Sequence, residues 1–308
     1  MPSLLPILPF LLGLVGAAGA MIVGRRTRLL RIWALLPQLA LLATSLAILT
    51  QTEAGKVLVH RAGGWAPPVG IVYVADRFSA LFGAIVAFLS TAALAYGLVE
   101  EEPKALHRVV ALYYVIQTGM FGAVFTGDLF NLYVCFELLG IASYGLVAYR
   151  GTARHVEAAL KYATLSLLAS MLMLMGVGSI YAQTGTLTIA SLHEASLALT
   201  VPPLYLFSTS LILVALALKA ALFPLHFWLP DAHSMAPTGV SVVLSGAVVK
   251  VGAYGLLRVL FSQASWLGAE FRPVLLTLAA FTALGAAWVA FAQTDFKRIL
   301  SFHIISQI

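Results

Sequence analysis

Apolar runs of roughly membrane-spanning length follow one another along the chain, separated by short polar connectors. A helix needs about 20 apolar residues to cross a hydrocarbon core about 30 Å thick. Each run must satisfy its own backbone hydrogen bonds in lipid, and unbroken runs lack the alternation of a transmembrane β-barrel. The pattern therefore predicts an all-α, polytopic transmembrane helical bundle with about nine complete spans and the start of a tenth at Ile299. The nine predicted spans are Leu4–Val23, Leu30–Thr50, Ile71–Val99, Val109–Thr126, Leu129–Tyr149, Ala158–Tyr181, Leu204–Phe223, Gly239–Phe261 and Val274–Gln293.

Composition supports a membrane protein and argues against a nucleic-acid partner. Hydrophobic residues make up 61% of the chain and charged residues 10%, whereas soluble domains carry about 25% charge. The net charge of +6 comes from bases in short connectors rather than from one basic face or tail, so it reports topology. The single Cys135 lies inside an apolar run, which excludes a disulfide framework and a cysteine-based metal site.

The basic residues of the connectors predict an orientation. Cytoplasmic connectors carry an excess of Lys and Arg, and here the connectors that follow odd-numbered spans hold most of them. We therefore expect the N-terminus outside and the odd connectors in the cytoplasm, in a bacterial inner membrane. The ten bases of the odd connectors are Arg25, Arg26, Arg28, Arg31, Lys104, Arg108, Arg150, Arg154, Lys297 and Arg298, against Lys56, Arg61, Arg258 and Arg272 for the even ones.

Three polar segments add detail to this topology. The alternating stretch Lys56–His60 precedes a cluster of glycines and prolines, which predicts an external hairpin. The mildly amphipathic stretch Leu187–Leu199 is expected to lie along the membrane interface. Asp76 and Arg77, near the outer start of the third span, are expected to form an interfacial ion pair.

Three charges stand alone inside apolar runs: Glu137, Lys219 and Lys250. A charge near the bilayer midplane costs at least about 2.5–3.5 kcal/mol on insertion scales, so each is expected to face protein or water and to carry a function. One acid and two bases on separate helices indicate a proton relay. The alternatives are a fixed ion pair or a hydrogen-bonded acid at Glu137, and a hydrogen-bonded structural lysine at Lys250.

A helix break is predicted just after Lys219. Pro224 has no N–H and its ring clashes with the carbonyl of Ala220, so the helix is expected to stop and leave free carbonyls beside the ammonium. Broken helices at membrane depth are tolerated where they line a cavity or are packed in protein. The alternative for Lys219 is an ammonium that reaches the interface along its own alkyl chain.

Residues around this turn supply further candidates. His226 and His233 flank it, and histidine titrates near neutrality, so both are candidate relay groups. A capping or loop hydrogen bond is equally expected for His226, and the ligand spacing predicts no metal site. Lys161, about one turn inside the sixth span, is a candidate for proton uptake, although extension to the cytoplasmic surface is favoured. The serines and glycines of spans four to six are expected to serve helix packing, and no cofactor is expected.

Three segments resemble a known family: Thr126–Glu137, Ala220–Thr238 and Leu244–Lys250. They are similar to the antiporter-like, proton-conducting membrane subunits of respiratory complex I, membrane-bound hydrogenases and multisubunit Mrp Na+/H+ antiporters. The segment Gly63–Ala80, together with residues 128–137, looks most like the D-type membrane component of the Mrp antiporters. One departure is Gly239, which occupies a place where the family often has proline.

The resemblance implies two inverted five-helix repeats, each with a half-channel, joined by a central row of charged residues. It implies N-terminal helices 1–3 at 1–107, a first repeat of helices 4–8 with broken helix 7 at 108–261, and a truncated second repeat at 262–308. Glu137 and Lys219 would form a pair whose separation changes the protonation of the lysine, with Lys250 and His233 next along the path. Because the family usually has about fourteen helices, we expect this chain to be an N-terminal part.

Together these observations predict a proton-translocating subunit of a multisubunit Na+/H+ antiporter rather than an enzyme. The expected partners are other membrane subunits, protons, Na+ and the lipid bilayer. One alternative is a proton-pumping subunit of a complex I-like oxidoreductase or a membrane-bound hydrogenase, with the redox centres elsewhere. A second alternative is a subunit that supports the complex without conducting.

Overall fold

A computed structural model describes residues 3–102, 105–198, 203–261 and 265–308 of the chain. Lys104 and Leu199 lie outside the described residues. The helices and two strands of the described part follow one another in the order given next. They are α1 (Leu8–Val23), α2 (Thr27–Thr52), β1 (Leu58–Arg61), β2 (Val72–Ala75), α3 (Arg77–Glu100), α4 (Leu106–Phe125), α5 (Leu129–Ala148), α6 (Ala153–Thr184), α7 (Ile189–Ala198), α8 (Pro203–Lys219), α9 (Trp228–Met235), α10 (Thr238–Val243), α11 (Val249–Phe261), α12 (Ser265–Phe291) and α13 (Phe296–Ser306).

The prediction of an all-α membrane bundle is confirmed. Within the described residues, eight helices are long and apolar enough to cross a membrane, counting Thr238–Phe261 as one. The seventh predicted span, Leu204–Phe223, corresponds to α8, which has 17 residues and stops at Lys219 instead of Phe223. The helix α4 lies at the centre of the bundle, because almost all of its side chains are buried, whereas α12 is mostly exposed.

A two-stranded antiparallel hairpin caps one end of the bundle. Leu58 of β1 pairs with Ala75 of β2, and Arg61 pairs with Val72. The hairpin predicted from Lys56–His60 is therefore present, but its second strand occupies the residues assigned to the start of the third span. That boundary was wrong because a run of four apolar residues before a helix has the same hydropathy as the helix itself. The helix α3 begins at Arg77, where Asp76 caps it by accepting from the Ser79 amide at 2.8 Å.

The segment between α4 and α5 is hydrogen-bonded to this hairpin. Thr126 forms a bridge with Tyr73, and the Gly127 amide donates to the Val72 carbonyl at 2.7 Å. A Cβ at Gly127 would lie 2.8 Å from a methyl group of Val74, so only glycine permits this approach. Asp128 then caps α5 by accepting from the Asn131 amide at 2.8 Å. The motif of residues 126–128 therefore fixes where α5 begins.

At the opposite end, α3 caps the helix that leads to Lys250. The carboxylate of Glu100 accepts from the Thr238 hydroxyl at 2.6 Å and from the Gly239 amide at 3.2 Å. A Cβ at Gly239 would also lie 3.1 Å from the Ala93 carbonyl oxygen. A proline at residue 239 would remove the donated N–H, which gives a physical reason for glycine at this departure from the family pattern.

Candidate functional site

Two of the three lone charges meet in the bundle interior. The Lys219 ammonium, on the last residue of α8, lies 3.5 Å from Oε1 of Glu137 in the middle of α5. Their side chains are 6% and 22% exposed, so the pair is largely shielded from solvent. The ammonium also donates to the hydroxyls of Ser166 at 3.3 Å and Ser170 at 3.0 Å on α6. Three helices therefore converge on one buried ion pair.

The helix break after Lys219 is capped rather than open. The expectation of free carbonyls beside the ammonium was wrong for the last turn of α8. The Leu218 carbonyl accepts from the Ala221 amide at 3.0 Å and from the indole N–H of Trp228 at 2.9 Å. The Ala217 carbonyl accepts from the Leu222 amide at 2.9 Å. Because the chain turns back at Ala221, where φ is +56°, its own amides reach these carbonyls.

Aromatic rings pack around the segment that follows the break. The indole of Trp228 is fully buried and stacks on the ring of Tyr162, with centroids 4.2 Å apart. Tyr162 in turn meets Tyr144 edge-on at 4.8 Å. A cavity of about 10 Å³ lies against Tyr162, Trp228 and Lys219, and this volume is close to the smallest that accommodates one water molecule.

Lys250 lies on a helix packed against the break. Five residues of π-helix, Leu244–Val248, precede it, and such bulges occur frequently at functional sites. A Cβ at Gly252 would lie 2.7 Å from the Ala220 amide nitrogen, so α11 approaches the end of α8 closely. Among the described residues, Lys250 has no hydrogen bond or ion pair, and its side chain is half-buried. The structure therefore brings its helix, but not its ammonium, to the Glu137–Lys219 pair.

The two histidines occupy different surroundings. His226 is buried among aromatic rings, 4.6 Å from the Phe227 centroid and 5.6 Å from that of Phe223. His233 is buried near the end of α9, and its backbone carbonyl accepts from the Ser241 hydroxyl at 2.6 Å. In the part of the chain that the structure describes, Nδ1 of each ring is buried without a hydrogen-bond partner. No cluster of three or more potential metal ligands occurs among the described residues.

A second, exposed ion cluster surrounds Asp231. Oδ2 of Asp231 lies 3.1 Å from the Lys161 ammonium, and Oδ1 lies 2.9 Å from Nη1 of Arg298. Lys161 also pairs with Glu157 at 2.8 Å. The cluster lines an open cavity of about 250 Å³. Lys161, expected to extend to the surface, is half exposed and is held by two carboxylates.

A third ion pair lies at the hairpin end, where Asp76 contacts Arg258 of α11. The predicted pairing of Asp76 with Arg77 was wrong, because Arg258 approaches from a helix 182 residues away in sequence. Burial raises the pKa of the Asp76 carboxyl, but hydrogen bonds from the Ser79 amide and from Arg258 outweigh burial and leave its pKa below the usual value. Burial raises the pKa of Asp128, the cap of α5.

The neutral residues of the site were not recognised from the sequence. Ser166, Ser170 and Trp228 have no charge and follow the packing pattern of their helices, so they resemble ordinary packing residues. The usable pattern was the i, i+4 spacing of Ser166 and Ser170, which places both hydroxyls on one face of α6. That face contacts the two lone charges.

These features define a polytopic membrane protein that holds a hydrogen-bonded ion pair at a helix break. Residues 126–308 match the family described as NADH:quinone oxidoreductase/Mrp antiporter, transmembrane. The chain belongs to this family.

Relatives of this chain include components of two kinds of membrane complex. The chain is 35% identical to the N-type subunit of the NADH-quinone oxidoreductase of Desulforudis audaxviator, over 100% of this chain and 62% of that protein. It is 32% identical to the D-type subunit of the Na(+)/H(+) antiporter of Alkalihalophilus pseudofirmus, over 99% of this chain and 62% of that protein. The chain thus spans about three fifths of the length of these relatives.

Chains of two solved membrane complexes also match this chain. A chain of the membrane-bound sulfane sulfur reductase, an archaeal respiratory membrane complex, matches with a TM-score of 0.90 and 30% identity, over 99% of this chain and 63% of that one. A chain of the Mrp complex from Dietzia sp. matches with a TM-score of 0.87 and 31% identity, over 99% of this chain and 57% of that one.

Proposed function

We propose that this chain is a proton-translocating subunit of a multisubunit Na+/H+ antiporter of the Mrp type, corresponding to its D-type component. The observation that carries the proposal is the buried Glu137–Lys219 pair at the end of α8. A buried charge pair is costly to maintain, so its presence at a capped helix break favours a role in moving charge. The motif at residues 63–80 and the antiporter relative favour the Mrp type over a redox complex.

The mechanism is a shift of charge along a row of groups. Protonated Lys219 is stabilised by Glu137 while the two are in contact. When the pair separates, an unpaired ammonium in a low-dielectric interior is costly, and Lys219 releases its proton toward Lys250. The close approach of Gly252 to Ala220 gives α11 a short route to that proton, and the π-helix before Lys250 gives it a bulge that can adjust.

The uptake side is assigned to the exposed end with Asp231. Lys161 and Arg298 surround Asp231 beside the 250 Å³ cavity, and His233 lies two residues further along α9. Under the positive-inside orientation this end faces the cytoplasm, with the N-terminus outside and the protein in a bacterial inner membrane. In this proposal His226 and His233 assist transfer between the cavity and the pair. Other membrane subunits, Na+ and lipid complete the system.

The second candidate function is a proton-pumping subunit of a redox-driven complex. The 35% identity to an oxidoreductase subunit and the likeness to a respiratory membrane complex favour it. In that case the same pair would move protons, but distant electron transfer would drive it. A subunit that supports the complex without conducting is the third candidate, and it predicts that the pair can be altered without loss of transport.

Everted membrane vesicles containing the assembled complex test the proposal. Na+ is expected to dissipate a preformed proton gradient, and Glu137→Gln or Lys219→Ala is expected to abolish that response while assembly persists. Glu53→Gln is the matched control, because it makes the same change at an exposed carboxylate away from the Asp231 cavity. Full transport in either pair variant rejects the relay. A gradient that responds only to NADH or another redox substrate rejects the antiporter in favour of the redox complex.

A further inference from the structure

The hydroxyl of Ser170 lies between the two charged groups of the pair. Its oxygen accepts from the Lys219 ammonium at 3.0 Å, and its O–H donates to Oε1 of Glu137. The direct contact between Nζ and Oε1 is longer, at 3.5 Å. Ser170 is 3% exposed, so bulk water does not compete for these bonds. The shortest hydrogen-bonded path between the acid and the base therefore runs through a side chain.

Ser170 has a second acceptor for the same proton. The backbone carbonyl of Ser166, one turn earlier in α6, lies 3.0 Å from the Ser170 oxygen. A hydroxyl has one proton to donate, and a charged acceptor binds it more strongly than a carbonyl does. Rotation of the hydroxyl to the Ser166 carbonyl interrupts the path between Lys219 and Glu137. The same side chain can therefore open or close the connection.

We propose that Ser170 is a relay residue that carries the proton from Glu137 to Lys219. This inference rests on the proposed function and names the group through which the pair is loaded. In the step, the O–H bond of protonated Glu137 breaks and its proton binds the Ser170 oxygen. The original Ser170 O–H bond breaks in the same step, and its proton binds the lone pair of neutral Lys219. A neutral acid and amine become a carboxylate and an ammonium, with Ser170 unchanged.

The hydrogen bonds of Ser170 correspond to a loaded pair, with an ammonium on one side and a carboxylate on the other. Its oxygen accepts from Lys219 and its O–H donates to Glu137, so it contacts both ends of the transfer. Ser166 does not share this geometry. Its hydroxyl accepts from Lys219 at 3.3 Å, and among the described residues it has no hydrogen bond to Glu137. Ser166 therefore positions the ammonium but lies off the path.

Valine and threonine have nearly the same shape, but valine carries a methyl group where threonine carries a hydroxyl. Substituting each of them at residue 170 therefore separates the role of the hydroxyl from that of side-chain size. In the assembled complex in vesicles, Ser170→Val is expected to lower proton flux at least about tenfold, because one positioned proton-transfer group contributes about a hundredfold or more. Ser170→Thr is expected to restore most of the flux. Thr164→Val, which removes a hydroxyl from the exposed side of the same helix, is the matched control and is expected to retain the flux.

A second variant covers the case in which Ser170→Val does not assemble. Ser170→Ala leaves space for a water molecule, which can bridge the pair less well than a fixed hydroxyl. The proton flux of Ser170→Ala is expected to fall less than that of Ser170→Val. Its solvent deuterium isotope effect is expected to exceed that of the unaltered protein. Unaltered flux in Ser170→Val, or an unaltered isotope effect and flux in Ser170→Ala, overturns the role of Ser170. If Glu137→Gln also retains flux, the proposed function fails as well; if Glu137→Gln abolishes flux, only the Ser170 inference fails.

Discussion

The Glu137–Lys219 pair and the Asp231 cluster use the same chemical groups in opposite surroundings. At the pair, the lysine side chain is 6% exposed and a serine bridges it to the acid. At the cluster, Lys161 is 50% exposed and one carboxylate is shared between two bases beside an open cavity. Water and salt screen the second arrangement but reach the first much less. Under the proposed function, the pair that changes its charge state is shielded from water, and the cluster at the uptake side is open to it.

Removing one charge from the buried pair should cause the largest loss of stability. Lys219→Met leaves Glu137 without its ammonium in a site that is largely dry. Breaking a buried pair from one side costs about 3–5 kcal/mol, so we expect a loss of stability on the order of 3 kcal/mol. Thermal unfolding in detergent measures it. Adding Glu137→Gln to Lys219→Met should recover part of the loss, and a double variant less stable than Lys219→Met would contradict the pairing.

The Asp76–Arg258 pair should contribute an intermediate amount to stability, since its side chains are 27% and 18% exposed. This contribution should depend on pH. The folded pKa of Asp76 is lowered, so its stabilisation is complete above the unfolded value of about 4 and is lost as the pH falls through the folded value. The thermal midpoint of the unaltered protein is therefore expected to fall as the pH is lowered below about 4.

Arg258→Gln supplies the control for this pH dependence. Without the guanidinium, Asp76 loses a hydrogen bond and a positive charge that lower its folded pKa, while burial still raises it. The folded pKa then lies closer to the unfolded value, so the acid-induced fall of the thermal midpoint should be smaller than in the unaltered protein. The midpoint at neutral pH should also decrease. An acid-induced fall of unchanged size would show that Arg258 does not control the protonation of Asp76.

Changes in the Asp231 cluster should have the smallest effect on stability. Asp231→Asn weakens two ion pairs, yet exposed pairs contribute little, so the thermal midpoint should stay within about 2 °C of that of the unaltered protein. The small shift should disappear at high ionic strength, whereas that of Lys219→Met should persist. A larger shift for Asp231→Asn than for Lys219→Met would reverse the comparison between the two regions.

The sequence alone identified charged groups whose placement in the membrane is costly, because this cost can be recognised without knowing which residue they contact. Glu137 and Lys219 were found because a lone charge in an apolar run is anomalous, and the break at Lys219 because proline ends helices. The sequence did not predict that Asp231 contacts Lys161 and Arg298, because these residues lie 70 and 67 positions away from it. A single sequence gives no information about which distant helices pack together.

Errors at helix ends have a similar origin. Val72–Ala75 belongs to a strand because β1 offers it a partner, and the carbonyls of α8 are capped because the chain turns back at Ala221. Both outcomes depend on where other backbone atoms lie. Ser170 escaped notice for a different reason, since a serine in a membrane helix forms hydrogen bonds to its own backbone in most settings.

The attachment of Gly127 to the hairpin sets the depth of Glu137 in the bundle. The carboxylate lies nine residues beyond the cap of α5, which corresponds to about 13 Å along the helix axis. One residue inserted between Asp128 and Glu137 would turn the carboxylate by about 100° and carry it away from α6. The level at which the acid meets its base is therefore set at the end of the bundle, by a glycine that has no chemistry of its own.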